Sequence, residues 1–147
     1  MRIAIAADHA GFPLKGVIIE HLRAAGHTPV DFGTDSTEPV DYPDVIAPAA
    51  RAVADGSCDL GIVLGGSGTG EQIGANKIRG VRCVEGIDPV TARLAREHND
   101  ANVISMGARI VGEVLALACV DAFLAGEFAG GRHARRVDKI RALEEEG

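Results

Sequence analysis

The chain has 147 residues, 46% of them apolar and 24% charged, with a formal net charge of −6. That length is enough to bury one sizeable core, so a single domain over residues 1–147 is expected. The acidic balance argues against nucleic acid or an anionic membrane surface as partner, and with 3% aromatic residues and no Trp there is no base-stacking platform.

No apolar run approaches the roughly 20 residues of a bilayer span. Met1-Arg2 leads straight into a strand-like run, so no signal peptide is read and the cytoplasm is the expected location. Cys58, Cys83 and Cys119 have no metal-type spacing. Cys83 and Cys119 lie in apolar runs and read as core thiols, so no metal is expected.

Ile3-Ala4-Ile5-Ala6-Ala7 reads as a first strand, followed by Asp8-His9-Ala10-Gly11. Pro13 suits the first turn of a helix whose apolar face is Leu14, Val17, Ile18, Ile19 and Leu22, with Gly26 past its end. Residues 28–32 predict a second strand and 33–43 a polar loop holding Tyr42, the only tyrosine. A helix is expected over 45–54 despite Pro48. The third strand is 60–64, opening into a run of glycines. A fourth strand over 81–84 leads to Asp88-Pro89, a cap and first-turn proline for a helix reaching about His98. Residues 103–106 predict a fifth strand, 112–124 an apolar helix, and 126–131 an elbow into a basic, then acidic, terminal helix.

This alternation implies a three-layer α/β/α sandwich around a five-stranded parallel Rossmann-like sheet, with an extra C-terminal helix. The expected strand order is 2-1-3-4-5, which puts the ligand crevice at the reversal between the first and third strands. Asp8-His9 and Gly65 to Glu71 follow those two strands, so polar clusters distant in sequence converge there.

The glycine run resembles two phosphate-binding motifs and matches neither. After Gly65 and Gly70 a P-loop needs Lys, and the residue is Glu71. Counting from Gly66 and Gly68, the third glycine of a dinucleotide fingerprint also falls on Glu71. Backbone amides of Gly66, Ser67, Gly68, Thr69 and Gly70 instead suit a nest for a transient anion, flanked by a carboxylate able to move a proton. The plainer alternative is a glycine-rich turn with a solvated Glu71.

Other candidates carry alternatives too. His9 suits a phosphate or sugar and Asp8 sugar hydroxyls, unless Asp8 only caps the first helix and His9 is a solvated turn residue. Tyr42 either bounds a sugar pocket or packs. His98 either meets a helix dipole or is catalytic. Its helix end lies away from the switch point, so His98 and Asn99 are expected to serve a partner subunit's site. Arg132 and Arg136, four apart on one helical face, suit a divalent phosphate, against a solvated helix balanced by Glu144-Glu145-Glu146. Arg109, after the fifth strand, is a further phosphate candidate.

Asp8-His9-Ala10-Gly11, Asp41-Tyr42-Pro43, Gly66-Ser67-Gly68-Thr69-Gly70, Ala75-Asn76-Lys77, His98-Asn99-Asp100 and Gly131-Arg132-His133 through Arg136 occur in order. As an ordered set they resemble the ribose-5-phosphate isomerase B family, which includes allose- and galactose-6-phosphate isomerases. The resemblance covers nearly the whole chain. It implies an aldose–ketose isomerase interconverting ribose 5-phosphate and ribulose 5-phosphate through ring opening and a cis-enediolate, without cofactor. It also implies a homodimer, or a tetramer, with shared active sites. By that resemblance Asp8, His9 and Asn99 contact the sugar phosphate, the amides of 66–70 hold the anionic intermediate, Arg132 and Arg136 bind phosphate, and His98 opens the ring. Many members place a cysteine base where this chain has Gly65. An actinobacterial-type branch uses a glutamate at the position of Glu71, and this chain looks like that branch.

Glu85-Gly86-Ile87-Asp88 departs from expectation by putting charge at the site's edge. It is either a surface loop with Asp88 as cap, or Glu85 selects a tetrose or hexose phosphate over a pentose phosphate. The rival readings are therefore an isomerase acting on erythrose 4-phosphate, allose 6-phosphate or galactose 6-phosphate, and a non-catalytic phosphate-binding module.

Overall fold

The computed structural model describes residues 1–147 as β1 (Arg2–Ala7), α1 (Phe12–Ala24), β2 (Thr28–Asp31), α2 (Tyr42–Ala54), β3 (Leu60–Gly65), α3 (Thr69–Asn76), β4 (Cys83–Glu85), α4 (Pro89–Asn99), β5 (Val103–Gly107), α5 (Glu113–Ala125) and α6 (Arg132–Glu146). Every strand pair is parallel. Because side chains alternate across a strand, Ile3, Ile5, Ile62 and Leu64 enter a core under α1, α4 and α5. Ala4, Ala6 and Val63 enter a second core under α2 and α3, where Ala49, Ala50 and Ala75 let the helices approach closely. With both faces covered, all six residues of β3 are buried, which explains its unbroken apolar run.

The strand order is β2-β1-β3-β5-β4, a correction to the expected 2-1-3-4-5. All five residues of β5 are buried, whereas β4 is three residues long and ends in the half-buried Glu85. A short strand bearing an ionisable side chain belongs at an edge. Crossovers are right-handed, so the step outward through α3 and the step back through α4 put those helices on opposite faces. The reversal between β1 and β3 is unaffected, and with it the crevice.

Two boundaries also differ. Helix α2 begins at Tyr42 rather than 45, since Asp41 is extended (φ −80°, ψ 118°) and Pro43 is already set for a first turn. Tyr42 is thus a helical residue, not a loop one. Strand β4 begins at Cys83, and its free edge is closed by a side chain. Asn76 Nδ2 donates to the Cys83 carbonyl (2.9 Å), and Cys83 N–H donates to Asn76 Oδ1 (2.8 Å). No helix is long and apolar enough to cross a membrane.

Candidate active site

Parallel register carries β1 and β3 to a common level, pairing Ala7 with Leu64, and Asp8 N–H continues the ladder to the Leu64 carbonyl at 3.1 Å. At their carboxyl ends lies a cavity of about 340 Å³ lined by Asp8, His9, Tyr42, Gly66, Ser67, Gly70, Glu71 and Arg109, with Ala10 and Ile110. Eight of the residues singled out in the sequence thus meet in one crevice. Gly68 is buried behind the loop and Thr69 faces solvent, so neither lines it.

Each wall has a local cause. Asp8 Oδ1 accepts from Ala10 N–H (2.9 Å) and Gly11 N–H (3.0 Å), so it does form the turn that launches α1, while Oδ2 has no backbone partner. Val40 N–H donates to His9 Nδ1 (3.2 Å), which puts the proton of a neutral ring on Nε2. The Tyr42 ring packs on Gly70, and the Arg109 guanidinium lies beside Gly66. The loop after β5 is tied to the glycine loop by Ala108 N–H to Gly65 O (2.8 Å) and Arg109 N–H to Gly66 O (3.0 Å). Gly68 turns the chain at φ +84°, and Ser105, fully buried, donates its hydroxyl to the Gly68 carbonyl.

Glu71 is the third residue of α3 and is only 3% exposed. Its carboxyl fills the space directly over Gly65, so that a Cβ on residue 65 would collide with Oε1 and Cδ. Burial raises its proton affinity first. Its own backbone N–H acts in the opposite sense, and the charge of Asp8, a hydrogen bond with Asp8 and the charge of Glu85 raise it again. A buried carboxyl held in reach of a second carboxyl and a row of glycine amides can exchange a proton with a bound molecule.

The remaining candidates are elsewhere. The His98 and His133 rings stack at 4.3 Å between centroids, which brings the end of α4 to the start of α6 and to the exposed Arg132 and Arg136. His133 is shifted downward by desolvation, then by His98, Arg132 and Arg136. Asp100, at φ +46°, closes α4 and is gripped by Arg82 (3.2 Å), Arg96 (3.3 Å) and Arg141 (3.6 Å). Asn99 borders a different groove, with Arg82 and Glu144. Glu144 accepts from Gly80 N–H and Glu145 pairs with Arg79, so these two acidic residues of α6 are engaged away from Arg132 and Arg136. His133 stood inside the quoted basic motif without being singled out. Ala10 stood only inside the first motif, and Ile110 gave no signal; both are apolar neighbours of polar candidates.

The family model described as Ribose/Galactose Isomerase matches residues 3–140. The ribose-5-phosphate isomerase B of Escherichia coli (strain K12) is 46% identical over 144 residues, covering 98% of this chain and 97% of that protein. That of Mycobacterium leprae is 50% identical over 147 residues, covering 98% and 90%. Among solved structures, Clostridium thermocellum ribose-5-phosphate isomerase B has a TM-score of 0.98 at 48% identity and 99% coverage of both chains. The Mycoplasma genitalium enzyme with bound ribulose-5-phosphate has a TM-score of 0.95 at 41% identity, covering 99% and 97%. The crevice at the β1/β3 switch point, the sheet that builds it and these likenesses lead to one conclusion: the chain belongs to the ribose/galactose isomerase family.

Proposed function

We propose that the protein interconverts ribose 5-phosphate and ribulose 5-phosphate, with Glu71 as the base that moves the proton between C2 and C1. The observation that carries this reading is the Glu71 carboxyl, buried over Gly65 and lining one crevice with Asp8 and the glycine loop, where burial and the charge of Asp8 raise its proton affinity. In the open-chain aldose, Glu71 takes the C2 proton as the C1–C2 double bond forms and O1 gains negative charge. It then returns the proton to C1. Asp8 and the Nε2–H of His9 flank the oxygens between which the second proton passes. A positioned base contributes roughly 10²–10⁴-fold, and each donor aimed at the developing oxyanion about 3 kcal/mol.

The assembly in this reading is a homodimer in the cytoplasm. The partner subunit's His98 opens the furanose ring, the partner's Asn99 contacts the sugar, and the partner's Arg132 and Arg136 hold the phosphate. Arg109 is a further phosphate contact from the same chain. Phosphate held far from the reacting carbons helps fix their position.

The test compares steady-state rates on ribose, allose and erythrose phosphates, with solvent-deuterium exchange at C2. The expected outcome is highest kcat/KM on ribose 5-phosphate, and a roughly 10²–10⁴-fold loss of kcat in Glu71→Gln with retained binding of a substrate-like phosphate inhibitor. Absence of C2 exchange in the native protein would leave a phosphate-binding module. Loss of inhibitor binding in Glu71→Gln would make that residue structural.

A further inference from the structure

Glu85 ends the edge strand β4 and is absent from the cavity lining, yet its carboxyl lies under the glycine loop. A Cβ built on Gly68 would stand 3.0 Å from Glu85 Oε1. Glu85 pairs in register with Ser105, which in turn pairs with Val63, so alternation turns its side chain to the same face of the sheet as Gly65 and α3. It makes no hydrogen bond and no ion pair within the chain, and its carboxyl oxygens keep access to water. A carboxylate thus stands beneath the first turn of α3, behind the anion nest.

We propose that Glu85 is a positioning residue that keeps the Glu71 carboxyl a strong enough base to take a carbon-bound proton, by opposing the positive end of α3 and the nest amides. The proposal rests on Glu71 being the base. The third position of a helix favours the ionised carboxylate, which weakens it as a proton acceptor. Asp8 counters this from the end of β1 and Glu85 from β4. The other polar groups around Glu71 are His9 after β1, Tyr42 on α2, Arg109 after β5 and the Cys83 thiol on β4. Burial, then Glu85 and Glu71, push that thiol upward and keep it protonated. Asp8 and His9 face the cavity and meet a bound molecule, whereas Glu85 does not. It can therefore set the field from outside the cavity lining.

The experiment measures kcat/KM against pH for the native protein, Glu85→Gln and Glu85→Asp, together with a ¹³C NMR titration of the Glu71 carboxyl, assigned by its loss in Glu71→Gln. Removing the like charge makes Glu71 easier to ionise, so the acid limb moves to lower pH. The ratio of kcat/KM at pH 5 to that at pH 8 is expected to rise about three-fold in Glu85→Gln, with KM unchanged. The NMR midpoint moves the same way, and Glu85→Asp stays near native. Glu85→Leu repeats the measurement if Glu85→Gln melts early. Superimposable rate and NMR curves overturn the proposal, as does a rise in KM alone, which would mean direct substrate contact. An NMR shift without a shift in the rate profile upholds the field of Glu85 and removes Glu71 as the base.

Discussion

Glu71 sits where its helix and its surroundings pull in opposite directions, and the surroundings win because the carboxyl is almost wholly removed from water. An acid whose proton affinity is raised by folding binds more protons in the native than in the unfolded state. Stability is then lost as pH climbs from the ordinary carboxylate value of 4.5 through the raised native value. Glu71→Gln carries no such charge. Its melting temperature is expected to gain on the native protein from pH 4 to pH 7, a difference that thermal melts at fixed ionic strength will read. Gly65 is the matching residue, since it leaves room for the carboxyl. Gly65→Ala is expected to displace Glu71, lowering kcat about 10²-fold or more. The displaced atoms are the end of one side chain, so the melting temperature of Gly65→Ala should change little in the same melts. The glycine run announced a loop, but only the packed structure shows that one of its glycines is a seat for Glu71.

At the scale of the element, strand β4 shows how a weak edge is made to hold. Three residues supply little ladder, and the Asn76 side chain substitutes for a neighbouring strand by bonding both backbone groups of Cys83. Asn76→Ala leaves a buried N–H and C=O without partners, at a cost of about 1–3 kcal/mol by urea denaturation. Because β4 also carries Glu85, the same variant should disturb the acid limb of the rate profile more than KM. Asn76 was visible in the sequence only as part of a motif. Its bonding to a strand seven residues further on follows from the turn after α3, which no local pattern announces. The start of α2 was misplaced for a similar reason: Tyr42 looks like loop beside Asp41, and Pro43 reads equally as turn or first helical turn.

Across the whole molecule, the candidates form two groups in one chain. Eight line the crevice at the carboxyl ends of β1 and β3, and a basic group gathers where α4 meets α6. If one subunit's basic group completes its partner's crevice, a Glu71→Gln subunit and an Arg136→Ala subunit damage different halves of each site. Random exchange makes half the dimers mixed, each with one undamaged site. Assayed at a substrate concentration far below the raised KM expected of Arg136→Ala, the mixture should then recover about a quarter of native activity after subunit exchange. No recovery would place both residues in a site within one chain.

Apolar runs of strand length alternating with helical periodicity were sufficient for the layered sheet, because burial on both faces demands that composition from each strand separately. The glycine loop with a carboxylate where a phosphate site needs lysine was likewise enough to suggest proton transfer rather than nucleotide binding. Strand order was beyond such patterns. Val84 and Val103 are equally apolar, and only competition for the place beside β3 decides which strand is central. The environment of Glu71 was also decided in three dimensions, since Asp8, Glu85 and Gly65 reach it from the carboxyl ends of three different strands. Chain position determines which groups exist; removal from water and distance determine what each group's charge can do.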